Sequence, residues 1–585
     1  MKKFSLKSWI SQIQQVALRF PFTLFFVIGL AFNFFLQINK HHVDIQPHTW
    51  AFLYVGTVMS LAVTLFLEDL KNLYTKIGLN LLSIILLLVY LFTLPDKFLP
   101  VHYYQLIILG VVFSLSAFFG SFIKPKNDIP FWEFSKNFVT QFIISAIFAQ
   151  VLMLGLSLAI LSLKELFKVE IHNEVYQNVA VICYVLFAPI FFLANIPDAT
   201  EKLKQRYSFP IFLKILGLYI LLPILALYSL ILYVYLIQIV IGFELPNGWV
   251  STLVSILGLG GFFCMLVLYP LRLDDENKNK VVNIFSRYFP ILLFPLLMLM
   301  SIGIFRRLGD YGLTINRCYV LILNLWLYGI STYLFITKAN HLKWMVISFA
   351  AVTFCSTVGP WSVFSVTKRT LTKEIGQLLS ETKLLKNGKV LDNTKQIVKI
   401  DSLSSKKLSE DIKYICENFG TSAIQPYFKD SIQKLDSWKI NEILGVDKSA
   451  VYASEHHSAE YQYFNASQDT NNELVDISQN YISYIRLHRS NEDKYLINTK
   501  KISVRYLNNS LVISRPEYKK SLIIPLQSKI KEILSWDKKQ KHFSAVKLTI
   551  AGENSKLVIN NIAGFYSPKN DSITVTEFRA NLFLK

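Results

Sequence analysis

The sequence predicts an α-helical polytopic membrane bundle of about 11 transmembrane helices, followed by a C-terminal α+β domain with an antiparallel sheet. Three observations carry this expectation. Of 585 residues, 52% are hydrophobic and only 17% charged, against about 25% charged in soluble domains. The charge is unevenly spread: residues 1–367 hold 26 Lys/Arg and 16 Asp/Glu, while the shorter stretch 368–585 holds 34 and 24. Apolar runs of membrane-crossing length fill the first stretch, and short β-rich runs fill the end of the second. The division is therefore 1–367 for the membrane domain and 368–585 for a soluble α+β domain.

A spanning helix needs about 20 apolar residues. Eleven runs qualify, at about 20–38, 49–67, 77–94, 103–123, 138–163, 176–196, 211–243, 249–271, 288–305, 318–337 and 343–360. The first follows Met1-Lys2-Lys3 without a small-residue cleavage site, so it reads as a retained helix. The seventh is long, and Pro223 either kinks or divides it. With the N-terminus inside, the inner loops hold 19 Lys/Arg and the outer loops 7, which obeys the positive-inside rule. The expected location is a bacterial inner membrane, with the N-terminus cytoplasmic and, after eleven spans, the C-terminal domain extracytoplasmic.

The tail begins after GPWSVFSVTKR, residues 359–369. Gly359-Pro360 ends a helix, and Trp361 suits an interfacial anchor. Apolar residues at 371, 375, 378, 379, 384 and 385 keep helical spacing until Asn387-Gly388-Lys389. Residues 404–418, closed by Gly420, and 430–444 also read as helices. From residue 450 come YISYIRL, KISVRYL, LVISR, SLIIPL, AVKLTI, KLVINNI and SITVTEF, separated by Asn, Ser, Gly and Lys. KISVRYL-NNS-LVISR reads as a hairpin.

The net charge of +20 does not imply nucleic acid. The basic residues sit at helix ends or are mixed with acids, with no aromatic-spaced basic stripe; anionic lipid headgroups are the better match. Of five cysteines, Cys416 is alone in the tail, and no CxxC pair exists. The span centres carry no ionisable side chain. Asn33, Asn80, Gln141, Gln150, Asn195, Gln238 and Asn324 are their notable polar residues, and inter-helix hydrogen bonds explain them.

Other clusters carry weak chemistry. His41, His42, Asp44 and His48 share one loop, and Glu455, His456, His457 and Glu460 another, but neither has a zinc spacing. Ser380…Lys383 and Ser404…Lys407 fit SxxK without its partner motifs. Glu68-Asp69 and Asp274-Asp275-Glu276 read as solvated charge at helix ends. No catalytic, cofactor or metal site is assigned, and no cofactor is expected.

One stretch stands apart. RRLGDYGLTINR, residues 306–317, packs four charges and two glycines between apolar runs. Gly309 and Gly312 permit a sharp turn, Thr314 suits an N-cap, and Asp310 is close in sequence to Arg306, Arg307 and Arg317. A tight charged helical hairpin is the simpler reading. The functional one makes Arg306, Arg307, Asp310, Thr314 and Arg317 a docking point for anionic headgroups, a partner, or the protein's own tail.

IGIFRRLGDYGLTINRCYVLILNLWLYGIS (302–331) and LKWMVISFAAVTFCSTVGPWSVFSVTKR (342–369) resemble a bacterial polytopic membrane family catalogued as domain of unknown function 4153. The Arg…Tyr-Gly-Leu-Thr…Asn-Arg core and the Gly-Pro-Trp-Ser exit carry the likeness, with Cys318 interrupting an expected Arg-Tyr pair. The run 211–249, with Pro223 and Leu-Pro-Asn-Gly-Trp, also fits. The resemblance implies a bacterial inner-membrane protein and supplies no activity or catalytic residue. Three functions stand as expectations: a non-enzymatic scaffold or sensor whose tail meets an envelope protein or lipid, a transporter or lipid-handling protein, and an envelope-modifying enzyme. The bilayer is the one partner common to all three, and nucleic acid is excluded from each.

Overall fold

The computed structural model describes residues 6–39, 46–122, 128–197, 209–242, 249–273, 279–386, 388–390, 402–432, 435–444, 462–468, 483–490, 495–498, 502–507, 510–514, 521–535, 542–544, 546–552, 555–567 and 572–584. Two compact units form. The first comprises Met1–Asp392 and Asp411–Ile440, the second Asn393–Glu410 and Asn441–Lys585.

The first unit opens with α1 (Leu6–Arg19). Among the described residues, ten helices are long and apolar enough to cross a membrane: α2 (Pro21–Asn39), α3 (Pro47–Leu67), α4 (Leu73–Phe92), α5 (Pro100–Phe119), α6 (Ile129–Phe167), α7 (Asn173–Ala194), α8 (Ile211–Gly242), α9 (Trp249–Leu268), α10 (Lys280–Tyr311, apolar through Gly309) and α11 (Ile315–Ile336). The eleventh run forms α12 (Lys343–Thr357), only 15 residues long, or about 22 Å of helix. An apolar bundle in hydrocarbon must satisfy its backbone within each segment, which is why these runs are helices and not strands. Pro223 does not divide α8: the helix passes through a π turn at Ile215–Leu221. A second π turn, Val181–Phe187 in α7, likewise lies two residues before a proline, Pro189. The proline has no N–H to donate, and a wider turn before it re-spaces the ladder.

The helices alternate between two ends. At one end, Arg19 meets Glu68 at 2.8 Å and donates to the carbonyls of Ile196 and Pro197. Phe20, Leu65, Phe122, Phe131 and Ile196 share one core cluster there. At the other end, Asn39 and Asn178 exchange side-chain hydrogen bonds at 3.0 and 3.3 Å, and Trp50 stacks on Tyr54 beside Tyr103. The short α12 begins at the first end, where Lys343 donates to the Phe122 carbonyl. It finishes at the second, where Thr357 Oγ1 lies 3.2 Å from the Tyr319 hydroxyl, one turn into α11. It therefore runs antiparallel to α11 over most of its length.

Small residues set the closest helix contacts. A methyl group on Gly261 of α9 would sit 1.9 Å from Cζ of Phe289 on α10. Phe289 in turn packs edge-on against Phe262 at 5.9 Å.

After α12 the chain forms α13 (Val363–Glu381), capped by Ser362, and the short ladder β1 (Leu385–Lys386) with β2 (Lys389–Val390), turned through Gly388 at φ +75°. Next comes α14 (Ser402–Phe419). The helix expected over 430–444 shrinks to α15 (Ser437–Ile443); it follows Lys429–Ser431, three exposed residues with no apolar side to bury.

The second unit has two sheets. One has the path β4 (Ser483–Ser490), β12 (Ser572–Leu584), β11 (Ser555–Ser567), β3 (Gln462–Gln468) and β9 (His542–Phe543), with β10 (Thr549–Gly552) also on β11. All its pairs are antiparallel except β3 with β9. The other is an antiparallel meander of β5 (Tyr495–Asn498), β6 (Ser503–Leu507), β7 (Ser510–Ser514) and β8 (Leu522–Pro525); β6–β7 is the hairpin read from KISVRYL-NNS-LVISR. Helix α16 (Gln527–Ser535) places Ile530 in the same core as Leu557, Phe578 and Leu582.

Register shifts occur between Ile559 and Asn561 on β11 and opposite Ala563–Gly564 on β12. The set packed in the shared core changes phase at each: 557 and 559 then 562 on β11, 573 and 575 then 578, 580, 582 and 584 on β12. A bulge moves every later side chain to the other face, so two bulges keep a 13-residue hairpin facing one core.

Gly261→Ala is expected to lose about 1–3 kcal/mol, because the Phe289 ring has to move in a filled core. Thermal unfolding of the detergent-solubilised chain measures it, and Gly261→Ala with Phe289→Leu recovers most of the loss.

Candidate functional site

The stretch 306–317 forms the α10–α11 turn. Arg306 and Arg307 lie exposed in the last turns of α10. Gly312 closes that helix at φ +70°, donating its N–H to Leu308 O at 3.1 Å. Only glycine takes that backbone region freely. Thr314 is the N-cap of α11, its hydroxyl 3.5 Å from the Arg317 N–H, and the Arg317 guanidinium donates back to Gly312 O at 2.7 Å. Thr314 and Arg317 are thus brought together around Gly312. Asp310 belongs to α10, but its side chain lies outside the described residues.

The turn is covered by the chain's own juxtamembrane helices. The Ile315 N–H donates to the Tyr414 hydroxyl of α14 at 3.0 Å. Cys318 Sγ lies 3.6 Å from Thr367 Oγ1 of α13, and the Tyr319 ring meets Phe364 edge-on at 5.9 Å. A second tyrosine ties α13 to the segment after α14: Tyr427 donates to Thr372 O at 3.0 Å. It does so across Gly376, where any Cβ would sit 2.3 Å from the hydroxyl. Burial raises the Tyr414 hydroxyl above its ordinary pKa and pushes the neighbouring Cys416 thiol up to about 11. Both stay protonated at neutral pH, so they act here as packing and hydrogen-bonding groups.

At the opposite end of the helices lies a polar cluster that the sequence reading passed over. Asp128 immediately precedes α6 but its side chain makes no capping bond to it; its Oδ2 accepts from the Lys343 backbone N–H at 3.1 Å. The Lys343 ammonium lies 3.7 Å from Oδ1, with the two side chains 5% and 1% exposed. Burial holds the Asp128 carboxyl above the usual carboxylate range, against the opposing pull of Lys343. Nearby, Arg272 donates to the carbonyls of Lys338 and Ala339 and to Asn340 Oδ1, and the Tyr269 hydroxyl donates to Asn340 O at 2.7 Å. Two loops far apart in sequence are locked together by these groups. A signal for Asp128 existed in Asp128-Ile129-Pro130, a helix-start pattern; Lys343 looked like any loop cation.

Of the polar residues named in the spans, Asn80, Gln150 and Asn324 bond between helices, while Asn195 donates to the Phe191 carbonyl of its own helix and Asn33 Oδ1 is buried without a partner among the described residues. Asn324 donates to Ser301 at 2.7 Å, Thr64 to Asn80 at 3.4 Å and Tyr184 to Gln150 at 2.5 Å. Glu68 pairs with Arg19, and Ser380 donates to the Gly376 carbonyl one turn back. His48 approaches the Leu94 carbonyl at 3.4 Å. His41, His42, Asp44, the Asp274–Glu276 acids, Glu455, His456, His457 and Glu460 lie outside the described residues. Among the described residues no three His, Cys, Asp or Glu side chains gather as a metal site.

Lys343→Ala leaves Asp128 buried beside no cation, an expected loss of about 3–5 kcal/mol. Asp128→Asn with Lys343→Met restores most of it in the same thermal assay. Tyr414→Phe strands the Ile315 N–H and costs about 1–3 kcal/mol, read as faster amide exchange at the start of α11.

Comparison with known proteins places these features. No solved structure matches the chain. Uncharacterized protein PM1469 of Pasteurella multocida (strain Pm70) is 25% identical over 358 residues, which are 58% of this chain and 58% of that protein. The chain thus spans somewhat over half the length of the curated relative it matches. The family described as Domain of unknown function (DUF4153) matches residues 24–384, a range that runs from α2 through the end of α13 and includes the α10–α11 turn and the Asp128–Lys343 pair. With more than half its length matched, the chain is a multi-pass membrane protein that belongs to the DUF4153 family.

Proposed function

We propose that the protein is an integral scaffold or sensor of the bacterial inner membrane, non-enzymatic, with a cytoplasmic N-terminus and the α+β domain on the far side of the bilayer. The observation that carries this reading is the seating of α13 and α14 on the α10–α11 turn through Tyr414, Thr367 and Phe364. A chain that only needed an anchor could leave its membrane exit loose. Here the exit is tied to the bundle by bonds between residues as much as 99 positions apart, so a shift of α10 or α11 is passed to α13 and α14. Such a linkage suits a protein that reports the state of its membrane part, or holds a partner at a fixed place.

The proposed sidedness rests on charge and on α12. The end that holds Arg19, Lys76, Arg272 and Lys343 carries most of the loop cations, which matches a cytoplasmic face. Because α12 runs from that end to the other, the chain leaves the bundle opposite its start. A partner for the α+β domain would then be an envelope protein or a lipid of the outer leaflet.

Alkaline phosphatase fused after Lys585 is expected to be active, and the same enzyme fused after Asn340 inactive. A stable but inactive fusion at Lys585 overturns the sidedness. The full chain is further expected to retain one stoichiometric envelope partner in detergent and to lose it on removal of residues 441–585. Vesicles that take up a solute or flip a lipid equally well with and without those residues would favour transport instead.

A further inference from the structure

The two helices joined by the loop 337–342 enclose a groove. It has a volume of about 530 Å³ and is walled by Ile322, Leu325, Gly329 and Tyr333 of α11 with Trp344 and Val352 of α12. Leu325 is 60% exposed, Trp344 42% and Val352 36%, so the groove opens sideways, toward the lipid that surrounds a membrane bundle. At its middle Gly329 has no atom within 4 Å of where a Cβ would be. From Ile322 to Tyr333 the wall is about 16 Å of helix, close to half of the about 30 Å hydrocarbon core. The groove is therefore one leaflet deep.

Its two ends differ. The inner end, at Ile322 and Val352, is apolar. The outer end has Tyr333 and Trp344, the side chains that favour the headgroup level. Beyond them the connecting loop carries exposed Lys338, and the Arg272 guanidinium is fixed on the carbonyls of Lys338 and Ala339. No acid lies in residues 337–342, and the nearby Asp128 carboxyl is buried and offset by Lys343. An apolar slot of single-leaflet depth below a positive rim is complementary to a lipid with a negative headgroup.

We propose that this groove is a binding site for one anionic phospholipid of the leaflet on the Lys338 side, an acyl chain lying between α11 and α12 and the phosphate against Lys338 and Arg272. A transmembrane helix of a partner would need a wider, two-leaflet face, and a neutral lipid would leave the cationic rim unused. The site is separate from the α10–α11 turn and does not depend on the scaffold reading.

The test uses native mass spectrometry of the full chain in detergent, offered phosphatidylglycerol or phosphatidylethanolamine. One phosphatidylglycerol is expected to be held about fivefold more tightly, the contribution of one cation at a membrane surface. Gly329→Leu fills the slot and is expected to abolish the retained lipid, while Gly155→Leu, equally open but on α6, leaves it unchanged. Lys338→Glu removes the preference between the two lipids. Equal retention of both lipids by the unaltered chain overturns the proposal, as does retention untouched by Gly329→Leu or lost equally in Gly155→Leu. Should Gly329→Leu fail to fold, the lipid preference and its loss in Lys338→Glu decide the matter.

Discussion

Hydrocarbon accepts neither an unpaired peptide group nor an unpaired charge, and the first unit is organised by that double exclusion. Its backbone closes on itself in helices. Its charges move to the two ends, where they must either reach water or find each other. Arg19 with Glu68, and Asp128 with Lys343, are the second solution. In each case the side chains connect segments distant in the chain, so the exclusion of charge from the membrane becomes a set of ties between loops. The Asp128 carboxyl illustrates the balance: burial disfavours its ionised form and Lys343 opposes that effect. Either partner alone would be worse than both or neither.

The other end is closed differently. Tyrosines tie it together. Tyr319, Tyr414 and Tyr427 each present a hydroxyl to a backbone or threonine oxygen, or to an N–H, and the Tyr319 ring also packs on Phe364. A tyrosine hydroxyl adds polarity without a carboxylate or an ammonium. That chemistry suits a boundary where the chain passes from the bundle to α13 and α14 and where a bare charge would need water. Glycine is needed locally for two different reasons: Gly312 by its φ of +70°, and Gly376 because the Tyr427 hydroxyl comes too near for a side chain.

Much of this was legible in the sequence, and the limits have physical causes. Helix periodicity and length are local properties, so most of the runs from 20–38 to 343–360 fall close to their observed bounds, with α12 the shortest; the apolar runs of α6 and α10 are the exceptions, since both helices extend well beyond them into polar sequence. Thr314 as a cap and the β6–β7 hairpin are local as well. The Asp128–Lys343 contact joins residues 215 positions apart, and no neighbouring residue announces it. The same holds for Tyr414 on Ile315. In the α+β unit, the β-rich runs fall on β4, β6, β7, β8, β10, β11 and β12, but β3, β5, β9 and α16 have patterns too short or too polar to stand out. The bulge on β12 defeats period-two reading by design, since the buried set changes parity within one strand.

Helix α6 is out of scale with its neighbours. At 39 residues it is about 58 Å long, nearly twice the hydrocarbon thickness. Phe138, Phe142 and Phe148 lean on Phe191 and Phe192 of α7, and Gln150 meets Tyr184. Beyond these contacts its last turns are mostly exposed. A lipid-facing rod of that length accommodates a thinner bilayer by leaning over and a thicker one by standing up. Its phenylalanine contacts hold the first half of that rod against α7, so what is left to meet the lipid is the long exposed second half.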